Sequence, residues 1–178
     1  MCLSAAAGAV FGVVDVHYFG GDGARAALVV ANDPRFSLVS CERTVLCPGA
    51  AESYSPGEFY RRELPPILAV CAETGPFTVL FIDGYVDLDP LGSPGLGAYV
   101  HAEFGVPVVG VAKTRFRTAT HAVLVTRGQS SRPLYVTAAG CAAAEAASMV
   151  CDMAGPFRIP DALRRVDRLA RGTVLPSS

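Results

Sequence analysis

Phe77-Thr78-Val79-Leu80-Phe81-Ile82-Asp83-Gly84 is an apolar run that stops on a carboxylate and a glycine. Hydrophobic residues in succession, without alternation, describe a strand covered on both faces, and such strands lie inside sheets flanked by helices. The Asp-Gly step marks a loop at the strand's C-terminal end. On the N-terminal side, residues 58–73 show helical spacing, with Phe59, Leu64, Leu68 and Cys71 able to share one face. Pro65-Pro66 is expected to kink or restart that helix, because neither proline can donate a backbone hydrogen bond. Still earlier, residues 10–16, 26–31 and 36–46 read as three strands joined by short turns, an antiparallel meander. On the C-terminal side come a helix ending near Phe104, a buried strand over 107–111 and strands near 121–126 and 134–137. Two helices, over 141–153 and 160–171, close the chain, the second begun by Pro160. Strands first, then strands alternating with helices, give an α/β domain with a mixed sheet. One domain is expected over residues 1–171, with a tail over 172–178.

The composition narrows the function classes. Of 178 residues, 51% are hydrophobic and 17% charged, which excludes a disordered chain. No run reaches the ~18 apolar residues of a membrane helix. The apolar stretch 1–14 is ended by Asp15 and begins without a basic segment, so a soluble cytoplasmic protein with no membrane partner is expected. Six cysteines without a C-x-x-C pair, and only three histidines, argue against a zinc site. The net charge of −1 conceals a division. Residues 1–110 carry five Arg against twelve Asp and Glu, a net of −7, and residues 111–178 carry one Lys and nine Arg against four acids, a net of +6. One half suited to holding cations and another suited to phosphates is one reading; charges scattered over a solvated surface is the other.

Asp15 interrupts an apolar strand and Asp83 ends one, and a buried carboxylate needs a donor, a cation or solvent. If these two strands are neighbours, the carboxylates converge at one end of the sheet, with Glu63 of the intervening helix as a third. Three oxygen donors suit Mg²⁺, or Mn²⁺, which can orient a phosphodiester and stabilise its leaving oxygen. Spacing alone leaves open that Asp83-Gly84 is a plain turn and Glu63 a solvated helix residue.

Several motifs in order resemble the endonuclease V (deoxyinosine 3′-endonuclease) family over nearly the whole chain. Gly12-Val13-Val14-Asp15 resembles its opening strand, Ser53-Tyr54-Ser55-Pro56-Gly57 its P-Y-x-P-G wedge loop, and Phe59-Tyr60-Arg61-Arg62-Glu63-Leu64-Pro65 its F-R-E-x-P segment. Phe81-Ile82-Asp83-Gly84 and Gly110-Val111-Ala112-Lys113 match further strand ends, and Arg158-Ile159-Pro160 with Arg164 and Asp167 matches the R-[IL]-P-E-P-x-R segment and the acid beyond it. The resemblance implies an RNase H-like mixed sheet flanked by helices, and Mg²⁺-dependent cleavage near deaminated purines, above all inosine, in DNA or RNA. It implies Asp15, Glu63 and Asp83 as metal-centred catalytic carboxylates with Asp167 as a fourth, and Lys113 at the scissile phosphate. Tyr54 would press into the duplex, and Pro56, Gly84, Tyr85, Arg115 and Arg164 would join the nucleic-acid contacts.

The chain also departs from the family pattern. Asp89 stands where a histidine is expected, Val86 replaces a glycine, and Tyr99 falls where another histidine usually sits. Asp89, together with Tyr85 and Val86, is expected to narrow the base pocket and weaken discrimination for inosine. A relative that binds nucleic acid without cleaving at inosine is therefore the alternative, and a different phosphodiesterase on the same fold a third reading.

Overall fold

The computed structural model describes residues 8–19, 23–49 and 59–172. Tyr54 and Pro56 of the wedge-like loop, and residues 173–178 of the expected tail, lie outside the described residues. The strands are β1 (Phe11–Tyr18), β2 (Gly23–Ala31), β3 (Val39–Pro48), β4 (Val79–Asp83), β5 (Val108–Ala112), β6 (Val123–Val125) and β7 (Leu134–Ala139). The helices are α1 (Phe59–Cys71), α2 (Leu96–Phe104), α3 (Ala143–Asp152) and α4 (Asp161–Arg171). All seven strands form one sheet in the order β3-β2-β1-β4-β5-β7-β6. β1, β2 and β3 pair antiparallel as the meander, whereas β1 with β4 and β4 with β5 are parallel. β7 runs antiparallel to both β5 and β6. The result is an RNase H-like α/β fold, and among the described residues no helix is long and apolar enough to cross a membrane.

Alternation along the strands divides the interior into two layers. Val13, Val29, Phe81, Val109 and Val136 pack beneath α3 and α4, against Ala146, Val150, Leu163, Val166 and Ala170. Val14, Leu28, Leu80, Ile82 and Val108 pack beneath α1 and α2, against Ile67, Val70, Cys71 and Val100. β4 is covered on both sides, which is why its sequence shows no alternation.

Two expectations are corrected. The strand expected from residue 36 begins at Val39: Phe36 adopts φ 54° in the preceding turn and buries its ring edge-on against Phe81, centroids 5.8 Å apart. The Pro65-Pro66 pair neither breaks nor restarts α1, which runs through both prolines. Pro66 deprives the Arg62 carbonyl of its usual donor four residues on. The Tyr18 hydroxyl from β1 takes that place, donating to Arg62 O at 2.7 Å, with the Arg62 guanidinium 3.6 Å over the Tyr18 ring. The buried side of α1 is turned only in part from the expected one: Cys71 is buried and Leu64 packs on the same core, but Ile67 and Val70 lie at its centre and Leu68 is only half-buried.

Candidate active site

Asp15 and Asp83 lie at matching ends of neighbouring parallel strands. The register pairs Val13 with Phe81 and Val14 with Ile82, so the next step brings Asp15 level with Asp83. Both belong to the alternation of Val13 and Phe81 and face the α4 side. Glu63 comes over the strand ends from the opposite layer. It stands one turn before Ile67 and two before Val70, which places it on the buried side of α1.

Two of the three carboxylates are held well above their ordinary values. Burial, followed by the charges of Asp15 and Asp83, pushes Glu63 up to about 8. Burial, followed by the charge of Asp83, pushes Asp15 up to about 7, although the Val16 N–H donates to its Oδ1 at 2.9 Å. Lys113, the residue after β5, donates from Nζ to Asp83 Oδ2 at 2.5 Å. Burial would lower its ammonium, but Asp83, Asp15 and Asp167 together hold it above the ordinary lysine range. Asp167 reaches this rim from α4 and accepts from Arg171 Nε through both carboxylate oxygens at 3.0 Å.

Among the described residues, no three carboxylate, imidazole or thiolate side chains stand close enough to close a ligand set around one ion. The donors nevertheless fit Mg²⁺, which keeps several waters and is commonly held by one or two carboxylates together with substrate phosphates. Asp15 and Asp83 supply such a pair of hard oxygen ligands, and the negative charge crowded there is what a divalent cation would neutralise.

This crowding sets the expected pH dependence of metal-free stability. In the unfolded chain Asp15 and Glu63 ionise near 3.8 and 4.5, so between those values and about 7 and 8 the folded protein holds more protons than the unfolded one. Stability therefore falls as pH rises through that window and levels off above it. Melting in chelator from pH 5 to pH 8.5 should show a declining temperature, and Asp15→Asn should flatten the decline. A wild-type profile that coincides with that of Asp15→Asn would refute the coupling.

The loop after β4 is closed onto the sheet by two glycines. Gly84 adopts φ +140°, and a Cβ on Gly110 would lie 2.6 Å from Gly84 O, so β5 needs a glycine for the loop to seat. The Val86 N–H then donates to Thr137 Oγ1 at 2.8 Å. Here the structure gives each altered position its local surroundings. Val86 is fully buried among Leu80, Ile82 and Val100 and packs on Gly97, so it fills core and does not narrow a base pocket. Tyr85 is 9% exposed, its hydroxyl donating to Thr114 O and accepting from Phe116 N, so its ring braces residues 114–116. The Asp89 carboxylate accepts from the Leu91 and Ser93 amides of its own turn, and the Ser93 side chain together with these amides holds it below its ordinary value. Tyr99 stacks flat on Tyr60, ring centroids 3.5 Å apart. Arg115 is exposed in the turn beyond Lys113.

Lys113 and Asp167 also form one end of an open cleft of about 790 Å³, whose walls include Gln129, Phe157, Arg158 and Arg164. Arg164 carries its guanidinium 4.5 Å over the Phe157 ring. Sequence reasoning placed Arg164 here but missed Phe157 and Gln129; an aromatic beside the Arg158-Ile159-Pro160 motif was the available signal.

The endonuclease V family profile matches residues 4–135. Endonuclease V of Ignicoccus hospitalis is 29% identical over 131 residues, covering 66% of this chain and 62% of that protein, so this chain spans less than two thirds of the curated relative's length. Among solved structures, the endonuclease V of Streptomyces avermitilis superposes with a TM-score of 0.77 at 24% identity, covering 93% of this chain and 81% of that one. Human endonuclease V gives 0.73 at 25% identity, with 92% and 83% covered. The Ciona intestinalis enzyme, solved with a DNA containing an inosine followed by a ribo-adenosine, gives 0.75 at 18% identity, with 92% and 84% covered.

Proposed function

Because the chain belongs to the endonuclease V family, we propose that it is a divalent-metal-dependent endonuclease that hydrolyses a phosphodiester near deaminated purines, inosine above all, in DNA or RNA. The observation that carries this reading is the parallel register that sets Asp15 beside Asp83 on one face, with Lys113 on Asp83. Mg²⁺ or Mn²⁺, when bound there, would polarise the scissile phosphate and stabilise the leaving oxygen. Asp15 and Asp83 would hold the ion, with Glu63 offering a further oxygen. Lys113, beside Asp83, would pair with a phosphate oxygen and stabilise charge developing on it. Tyr54 and Pro56 precede Glu63 on the chain, and in this reading their loop meets the nucleic acid beside the site.

The test is cleavage of labelled inosine-containing DNA and RNA, single- and double-stranded, with Mg²⁺, with Mn²⁺ and with chelator. Cuts that require metal and fall near inosine support the reading. Equal patterns on inosine and undamaged strands would remove the inosine part, and absence of any metal-dependent cut would remove the nuclease part. The alternative, a relative that binds without cleaving at inosine, draws on Asp89 and Tyr99 in place of the family's histidines, both now engaged elsewhere, in a backbone turn and an aromatic stack.

A further inference from the structure

The cleft beside Lys113 and Asp167 is not needed to hold a metal ion or a single phosphate, and its chemistry is of another kind. Its volume, about 790 Å³, lies within the range of roughly 300–1,000 Å³ typical of small-ligand sites. Phe157 stands in its wall 54% exposed, a large apolar ring that no core packing requires to be there. The guanidinium of Arg164 lies over that ring, and Gln129 offers an amide that can both donate and accept. Of the four cations in its walls, Arg171 is paired with Asp167, Lys113 with Asp83 and Arg158 with main-chain carbonyls, while Arg164, 3.7 Å from Asp161, is the least committed and lies over the ring.

The walls are held in place before any ligand arrives. Arg158 donates to the carbonyls of Arg132, Lys113 and Pro133, tying the loop before β7 to the end of β5. Arg127, 7% exposed, donates to the carbonyls of Cys151, Met153, Gly155 and Phe157, fixing the turn that carries the Phe157 ring. A cleft built on such clamps loses little freedom on binding.

Resting on the endonuclease reading, we infer that this cleft receives an unpaired nucleotide of the cleaved strand, flanking the scissile phosphate, with its base stacked on Phe157. A duplex does not offer that nucleotide, since its bases are already stacked and paired; an unpaired base brings a bare π-face to the ring and a phosphate to Arg164. The position follows from Lys113 and Asp167, which belong to the acidic site and the cleft at once.

The test uses binding in chelator, so that it does not depend on cleavage. Fluorescence anisotropy with a labelled single-stranded oligonucleotide and its duplex, neither containing inosine, is compared for wild type, Phe157→Ala and Phe157→Tyr. Phe157→Ala should weaken single-strand binding about tenfold, the loss of one base–aromatic stack, and change duplex binding far less. Phe157→Tyr should restore it. An oligonucleotide made abasic throughout should bind wild type and Phe157→Ala equally. Equal single-strand affinities for wild type and Phe157→Ala, or equal losses on single strand, duplex and abasic strand, would overturn the assignment. Failure of the metal-dependent cleavage assay with this binding pattern intact would instead count against the nuclease reading alone.

Discussion

Replacing Asp83 by asparagine lowers metal-dependent cleavage by about 10²–10³-fold or more, the scale for removing one preorganised charge-stabilising group from a reaction centre. The substitution keeps the shape of the side chain and its ability to accept from Lys113, but removes half of the carboxylate pair at the strand ends. Folding should survive it. Asp83 is one of the charges that push Asp15 and Glu63 upward, so neutralising it relieves repulsion in the metal-free protein. Two measurements then move in opposite directions. In chelator at pH 8 the melting temperature of Asp83→Asn should equal or exceed that of wild type, while the stabilisation gained on adding Mg²⁺ should largely vanish. Retained cleavage, or a loss of cleavage that tracks a collapse in melting temperature, would remove Asp83 from the role assigned to it.

The acidic end of this site was legible because a carboxylate inside an apolar strand carries its own explanation: burial is tolerable only where something compensates the charge. Asp15 and Asp83 could be read from two short stretches, and the strand pairing needed only to make them neighbours. What escaped the sequence rests on contacts between distant segments. Continuation of α1 through Pro65-Pro66 depends on a hydroxyl 44 residues earlier in the chain, Tyr18 on Arg62 O. The turned face of α1 has the same origin: the helix rotates to bury Ile67 and Val70 beneath β1 and β2, carrying Glu63 inward with them. The position of Val86 followed from glycine at 97 and 110, which let the loop after β4 sink into the core. Neither reading of the basic C-terminal part, a phosphate surface or scattered solvated charges, foresaw how many of its arginines bind within the protein. Arg165 is spent on Glu42, Arg171 on Asp167, and Arg127 and Arg158 on main-chain carbonyls, so charge counting overstates what remains for a polyanion.

Arg127 illustrates this most sharply, and substituting it by methionine should destabilise the protein by about 3–5 kcal/mol, the range for removing one partner from a buried charged interaction. In sequence it sits between Thr126 and Gly128, with nothing local to mark it as buried. In the fold it is 7% exposed, and its guanidinium satisfies four carbonyls, of Cys151, Met153, Gly155 and Phe157, between the end of α3 and the start of α4. Methionine approximates its length and fills the space, so the cost arises from carbonyls left without donors rather than from a void. For a chain of this size such a loss corresponds to a fall in melting temperature of roughly 10 °C or more. Lysine should recover part of it, since an ammonium retains charge and donors but lacks the planar fork that meets several carbonyls at once. The damage should reach nucleic-acid binding as well, below the melting transition, because the released turn carries Phe157. Single-strand affinity in chelator should drop in Arg127→Lys by more than the same variant's duplex affinity. A melting temperature for Arg127→Met within a degree or two of wild type would show that the four carbonyls find other donors, and that the turn holds its place without the clamp.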